Sequence, residues 1–236
     1  MVTRQIVLDT ETTGLDPSRG HRLTEIGCLE MIDRRLTGRR FQTYLNPERE
    51  IEKAAAEITG LTNEFLQDKP KFAEVADAFW AFLQKENTLT ELIIHNASFD
   101  LGFLNHEFGL LNRPICPIEN HVGVICTLRM ARALHPGQRN SLDALCKRYN
   151  IDNSNREFHG ALLDAELLVK VYWAMTAGQT TFSLETEPSR SASENRPEAQ
   201  ANLNFKPVKR DGSPLRVIRA TEEELKAHEV KMQTLF

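Results

Sequence analysis

Apolar residues fall into short extended runs near the start of the chain and into helical spacing further on. Gln5-Ile6-Val7-Leu8 reads as the beginning of a strand. A second strand is predicted through Leu23 to Ile32 and a third through Phe41 to Leu45. Thr37-Gly38 is the turn signal between them, so residues 4 to 45 read as a β-meander. Ile51 to Glu57 (IEKAAAE) has helical composition and stops at Thr59-Gly60. From Phe72 to Gln84, the residues Phe72, Val75, Phe79 and Phe82 recur at the spacing of an amphipathic helix. Leu92-Ile93-Ile94 is a short apolar strand running into His95-Asn96-Ala97-Ser98, with Ser98 as the N-cap of a helix carrying Phe99, Phe103, Leu104 and Phe108. Val122 to Ile125 reads as another strand, and Ser141 to Tyr149 and Gly160 to Met175 read as helices. The last helix has Leu163, Leu167 and Val171 on one face and Leu162, Ala165, Val169 and Tyr172 on another, so it is expected to pack on more than one side. A meander followed by alternating helices and strands predicts an α/β domain with a mixed central sheet flanked by helices.

After about residue 180 the pattern breaks down. Glu185 to Asn204 (ETEPSRSASENRPEAQANLN) is rich in Ser, Glu, Asn and Pro, with Leu203 its single large apolar residue. Such a segment buries too little surface to order itself, and we read it as a flexible linker. Beyond it, Leu215-Arg216-Val217-Ile218 resembles a strand, and Thr221 to Glu224 has capping-box spacing ahead of a brief helix. The expected organisation is a folded domain over 1–178, a short peptide and linker over 179–204, and a tail over 205–236. That tail is too small to fold alone and is most simply a docking segment.

Composition sharpens this only modestly. The 236 residues are 41% hydrophobic and 26% charged, ordinary for a globular protein. A formal net charge of −4 argues against a broad electrostatic grip on duplex nucleic acid, while leaving room for local binding of an end where a cation neutralises phosphate. Cys28, Cys116, Cys126 and Cys146 form no CxxC pair and have no zinc-like spacing, so they are expected as reduced, mostly buried thiols. With no membrane-length apolar run and no signal pattern at the N-terminus, the expectation is a soluble cytoplasmic protein that meets no membrane.

The chemistry begins where the first strand ends, in LDTETTGL (residues 8–15). Side chains at i and i+2 of a strand share a face, so Asp9 and Glu11 stand side by side with Thr10 turned away. Two desolvated like charges need a counter-charge, and a divalent metal is the natural one. Asp100 falls in the first turn of a predicted helix and Asp164 in the first turns of the last one, with His159 five residues before it. Singly, Asp100 is also explained as a favourable helix N-terminal charge, Asp164 as a solvated helix residue and His159 as a polar loop residue. Jointly, four acids at element ends plus one histidine match the ligand set of a two-metal phosphoryl-transfer site.

The segments Asp9-Thr10-Glu11, His95-Asn96-Ala97-Ser98-Phe99-Asp100 and His159-Gly160-Ala161-Leu162-Leu163-Asp164 resemble, in order, the three exonuclease motifs of the DEDD superfamily. The His-x4-Asp spacing of the third marks its histidine branch. Within it the chain is most similar to the epsilon proofreading subunits of bacterial DNA polymerase III, through residues 4–14, Arg139 to Cys146 and the tail. That resemblance implies a ribonuclease H-like exonuclease fold with a flexible C-terminal linker and docking tail. It implies 3′–5′ hydrolysis of DNA ends to nucleoside 5′-monophosphates with two divalent ions, Mg²⁺ or Mn²⁺. It assigns Asp9, Glu11, Asp100 and Asp164 to the metals and His159 to proton acceptance, a role suited to histidine's ordinary pKa of about 6.5. Asp9, Glu11, Thr12, Thr59 and Asp164 would also meet the substrate, with Thr12 to Leu15 seating the terminal nucleotide. Ala54 and Thr59 stand where related epsilon subunits commonly have Glu and His, which alters the contacts expected to the terminal base.

The resemblance also implies partners. The tail over 205–236 would dock on the polymerase catalytic (alpha) subunit. Gln179-Thr180-Thr181-Phe182-Ser183-Leu184 resembles a sliding-clamp peptide, with Gln179, Phe182 and Leu184 as its anchors. Whether a small accessory subunit also binds is left open. Two other readings compete with this one: a stand-alone exonuclease of the same superfamily acting on RNA ends or short oligonucleotides, and a structural subunit with a decayed site. The linker and tail disfavour the first, and the filled catalytic positions disfavour the second. Arg139 is a further candidate phosphate contact, whereas Arg34-Arg35 and Arg39-Arg40 read as a solvated hairpin end. Trp80 and Trp173 are expected in core packing.

Overall fold

Ile6, Val7 and Leu8 alternate between two cores, and that alternation fixes the layering of the molecule. The computed structural model describes residues 4–84, 89–113, 115–154, 156, 158–177 and 221. Among these, β1 (Arg4–Thr12) lies in the middle of a five-stranded sheet of order β3-β2-β1-β4-β5. β2 (Leu23–Ile32) pairs antiparallel with β1 and with β3 (Arg35–Tyr44). β4 (Thr90–Ile94) pairs parallel with β1 and with β5 (Gly123–Cys126). The mixed sheet is the expected one.

Ile6 and Leu8 sink into a core shared with α3 (Phe72–Leu83) and α4 (Ala97–Leu110), after α1 (Lys53–Thr59) and α2 (Asn63–Gln67). Val7, Leu29, Met31 and Ile93 face the opposite core, made with α5 (Thr127–Leu134), α6 (Leu142–Arg148) and α7 (Ala161–Thr176). α7 buries Leu167, Leu168, Val169 and Val171 together, which accounts for its apolar residues all round. Each such side chain contributes roughly 1.5–3 kcal/mol through burial. The start of α7 crosses β2 at Gly27, where an added Cβ would lie 2.3 Å from backbone atoms of Ala161 and Leu162. Glu25, buried on the same strand, accepts a hydrogen bond from the Ala161 amide (3.0 Å) and so caps the helix from across the sheet. Trp80 meets Phe108 and His121 edge-on, and Trp173 packs against the second core, so both tryptophans pack as expected.

Local expectations are corrected at the β2–β3 turn, at the start of β3 and at the N-cap of α4. The β2–β3 turn is Asp33-Arg34, not Thr37-Gly38: both Asp33 and Arg34 have left-handed backbones (φ 48° and 62°). Gly38 instead serves an irregularity inside β3, which starts at Arg35 rather than Phe41, where residues 37–39 pass opposite Glu30. Arg34 is exposed at the hairpin end, as expected, and there donates to the Thr176 hydroxyl and the Trp173 carbonyl. The N-cap of α4 is Asn96, not Ser98; Asn tolerates the left-handed conformation (φ 64°) that turns the chain sharply out of β4. Of the four cysteines, all free, Cys28 and Cys146 are buried and Cys116 and Cys126 half-buried. Helices α2 and α5 were not anticipated. The expected strand at 215–218, the linker, and Gln179, Phe182 and Leu184 lie outside the described residues, as does the tail apart from Thr221.

Candidate active site

β4 stops at Ile94, opposite Leu8, so the last residues of β1 are paired with β2 alone. Asp9 through Glu11 therefore border an opening at the carboxyl ends of the parallel strands, the place where open α/β sheets bind ligands. The opening is a cleft of about 240 Å³ lined by Asp9, Thr10, Glu11, His95, Phe99, Asp100, Leu142, Arg156, His159 and Asp164. All five residues expected to carry the chemistry are among them.

Three elements deliver the acids. Alternation along β1 puts Asp9 and Glu11 on the α7 side, with Val7. α7, held close by Gly27 and capped by Glu25, presents Asp164 from its first turn. α4 brings Asp100 from the opposite layer, 2% exposed. Thr10 does point the other way, as expected, but it is not idle: its hydroxyl donates to Asp100 Oδ1 at 2.8 Å. The loop before α7 carries His159, whose amide donates to the Ile58 carbonyl (2.9 Å) at the end of α1. His159 Nδ1 lies 3.6 Å from Asp164 Oδ2.

The electrostatics are those of an under-neutralised acid cluster. Burial, and then Asp100, Glu11 and Asp164, hold the Asp9 carboxyl well above the usual range. Burial and the neighbouring acids push Glu11 up to about 8. Burial likewise pushes Asp100 up to about 7, against the Thr10 hydrogen bond that favours its charged form. Burial, and then Arg156, lower the pKa of His159, so its neutral form is favoured. Burial also lowers His95, whose Nδ1 is 3.0 Å from the Thr127 hydroxyl.

Sequence reasoning missed Arg156. Its guanidinium grips both oxygens of Asp164, with Nε 2.5 Å from Oδ1 and Nη2 on Oδ2. Nη2 also donates to His159 Nδ1 at 2.9 Å, and Nη1 donates to Asp143 Oδ1 at 2.5 Å. The available signal was an Arg-x-x-His spacing just ahead of an acidic helix start. Glu25 was missed too, because a lone acid in a strand gives no sign that it caps a distant helix.

The donor set suits a divalent cation. Ligand atoms of Glu11, His159 and Asp164 all lie within 4.8 Å of one another. Two carboxylates with an imidazole are ordinary partners for Mg²⁺ or Mn²⁺, with oxygen preferred by the first. The raised carboxyl pKa values of Asp9 and Glu11 mark a site short of positive charge, which a cation would supply.

Other expected contacts lie apart from the cleft. The Thr12 hydroxyl donates to the Gly14 carbonyl (2.6 Å). The Thr59 hydroxyl donates to Ala55 and accepts from the Leu61 amide, and Ala54 is exposed. Arg139 is exposed, and its carbonyl accepts from Arg148.

Comparison with known proteins gives the family. A family model described as Exonuclease (RNase_T) matches residues 6–172. DNA polymerase III subunit epsilon of Salmonella typhimurium is 49% identical over 98% of this chain and 93% of its own. The Escherichia coli protein of the same name is 47% identical over the same shares. Among solved structures, exonuclease X in complex with 5′ overhanging duplex DNA is 26% identical, with a TM-score of 0.56, covering 74% of this chain and 92% of that one. Exonuclease I shares the fold at 21% identity and a TM-score of 0.63, over 75% of this chain and 41% of its own. The chain belongs to the exonuclease family, and within it to the DNA polymerase III epsilon subunits.

Proposed function

We propose that the chain is the proofreading 3′–5′ exonuclease of a bacterial replicative polymerase, removing mispaired 3′ nucleotides as 5′-monophosphates. The observation that carries this reading is the cleft itself: Asp9, Glu11, Asp100, Asp164 and His159 brought from three elements and the loop before α7 to one end of β1, in a chain nearly half identical to epsilon subunits. Asp9, Glu11, Asp100 and Asp164 are the carboxylates that would hold the divalent ions, which leaves the His159 imidazole free to act as a base. Bound Mg²⁺ or Mn²⁺ would acidify the attacking water and stabilise charge on the leaving 3′ oxygen. His159, whose neutral form is favoured by its lowered pKa, is the residue that would accept the proton of the attacking water. Phe99 and Leu142 are the apolar walls of the cleft and limit water around the scissile phosphate.

The seat of the terminal nucleotide is Thr12 to Leu15 with Asp9, Glu11 and Asp164. α1 is tied to it at both ends, through the Glu52 amide to the Thr13 carbonyl and through Ile58 to His159. Thr59 acts from that helix, with its hydroxyl engaged internally. The tail over 205–236 docks on the polymerase catalytic subunit and residues 179–184 on the sliding clamp, in the bacterial cytoplasm. Such tethering supplies local concentration without tight binding by the exonuclease, in keeping with the net charge of −4.

The test is a side-by-side assay, with Mg²⁺ and with Mn²⁺, on DNA with a mispaired 3′ end and on single-stranded RNA. Preferential removal of the DNA terminus is expected; strong preference for RNA overturns the reading. Co-purification with the catalytic subunit should succeed for the full chain and fail for one truncated near residue 185.

A further inference from the structure

Arg156 is the sole arginine or lysine lining the cleft among the described residues, and its side chain is 6% exposed. It occupies both oxygens of Asp164 and, through the same nitrogen, the lone pair of His159 Nδ1. A guanidinium only donates hydrogen bonds, so His159 in this arrangement must accept at Nδ1 and, when neutral, carry its proton on Nε2. Its proton-accepting nitrogen is thus already engaged. Asp164 and Glu11 are carboxylates suited to a divalent ion, and a cation placed between them would meet the guanidinium charge directly. The third arm of Arg156 differs: Nη1 rests on Asp143 of α6, an acid 54% exposed and outside the cleft lining. Asp143 also accepts from Asn153 Nδ2 at 3.1 Å, which holds it beside the loop.

We propose that Arg156 is an internal cation gate, holding Asp164 and His159 in the metal-free site and retiring onto Asp143 when a divalent ion binds. Ion loading and release of the His159 lone pair are then a single event: the base becomes available only when the ion it serves is in place. Asp143 sets the balance, because it keeps the guanidinium attached by one arm while the other two let go. The proposal rests on the reading of the cleft as a divalent-metal nuclease site, and it assigns Arg156 a positioning role rather than contact with the reacting atoms.

The test is Mn²⁺ binding to the EDTA-stripped full-length chain without nucleic acid, followed by the electron paramagnetic resonance of free Mn²⁺. Arg156→Gln should tighten Mn²⁺ binding by about tenfold, the scale of losing one bidentate ion pair that competes for the same carboxylate. Asp143→Asn should do the reverse, weakening it by about threefold, because the displaced guanidinium loses its resting place. Melting temperatures add a second readout: Arg156→Gln should lower that of the stripped protein and recover most of the loss at saturating Mn²⁺. Unchanged or weaker binding in Arg156→Gln, with equal loss of melting temperature in both states, overturns the proposal and makes Arg156 a loop staple. Should Arg156→Gln not fold, unchanged or tighter binding in the surface variant Asp143→Asn overturns it equally. If the wild-type chain binds no Mn²⁺ at all, the nuclease reading falls as well; altered variants beside a binding wild type separate the two failures.

Discussion

The two ends of β1 bury charge in opposite ways. At Arg4, 1% exposed, every arm of the guanidinium is answered: Nε by Glu30 (2.7 Å), Nη1 by the Leu83 carbonyl and the Thr90 hydroxyl, Nη2 by the Phe82 carbonyl. Glu30 in turn receives the Thr37 hydroxyl and Arg39. About 17 Å along the same strand, Asp9 and Glu11 face Asp100 and Asp164 with one arginine among them. The first end is complete within the protein, and the second is complete only with added cations. A compensated buried charge fixes structure; an uncompensated cluster, kept in place by the rest of the fold, is a binding site in waiting.

The largest effects should come from breaking each end in its own terms. Asp9→Asn removes one of the carboxylates proposed to hold the divalent ions, and exonuclease turnover should fall by on the order of a thousandfold or more. Loss of one preorganised charged or donor group commonly takes about 10²–10³. The same change relieves like-charge repulsion, so the urea midpoint of the EDTA-treated protein should hold or rise. A collapse of that midpoint would show that Asp9 is structural, like Arg4. Arg4→Met should do the opposite. Leaving Glu30 buried with one of its cations gone should cost about 3–5 kcal/mol in urea unfolding. Turnover per folded molecule should stay near wild type, because Arg4 lies at the far end of the strand from the cleft.

How much of this contrast could be read from residues alone follows the same line. Period-2 and helical spacing are local, and they placed the strands around Ile6, Leu23 and Leu92, the Phe72 helix and the last helix. The acids were legible because they terminate those elements. What escaped notice was the pairing between distant segments: Arg156 with Asp164, Glu25 with the amide at Ala161, Arg4 with Glu30. A polar side chain in a strand looks the same in sequence whether it faces solvent or a buried partner. The β2–β3 turn failed for a related reason. Thr37-Gly38 has better turn chemistry than Asp33-Arg34, yet Arg34 is clasped by α7 through Thr176 and Trp173, and tertiary contacts decide the register.

The pH response of stability should also have opposite sign at the two ends. Folding raises Glu11 from its ordinary 4.5 to about 8, so the metal-free native state binds more protons than the unfolded chain between those values. Stability contributed there is present below pH about 4.5 and lost as pH climbs through 8. Asp100, raised to about 7, acts the same way. At the other end, burial pushes Glu30 up, but Arg4, Thr37 and Arg39 outweigh it and leave it below its ordinary value. Its contribution is present above 4.5 and lost as pH falls. Urea midpoints of EDTA-treated protein should therefore decline from pH 5 to 8, with a shallower decline in Glu11→Gln. Saturating Mn²⁺ should flatten the wild-type slope. A wild-type midpoint that rises over this range would mean that the acid cluster is neutralised from within.

The smallest change sharpens the comparison at a single hydroxyl. Thr10 sits between Asp9 and Glu11 but serves the other face, donating to Asp100 Oδ1. Thr10→Val keeps the shape and removes that donor. Asp100 is 2% exposed, so its carboxylate form loses a hydrogen bond worth roughly 1–2 kcal/mol that water replaces poorly. The hydroxyl favours the charged form, hence its loss should raise the Asp100 pKa beyond its present value of about 7. At pH 7 the variant should therefore bind Mn²⁺ a few-fold more weakly, with the deficit closing as pH is raised towards 9. The metal-free protein should lose little stability, since a protonated Asp100 can satisfy itself better than a carboxylate without its donor. An Mn²⁺ affinity indifferent to the substitution at every pH would place Asp100 outside the ion-binding set. The acid from α4 would then belong with Glu30, as a buried charge that the fold has already answered.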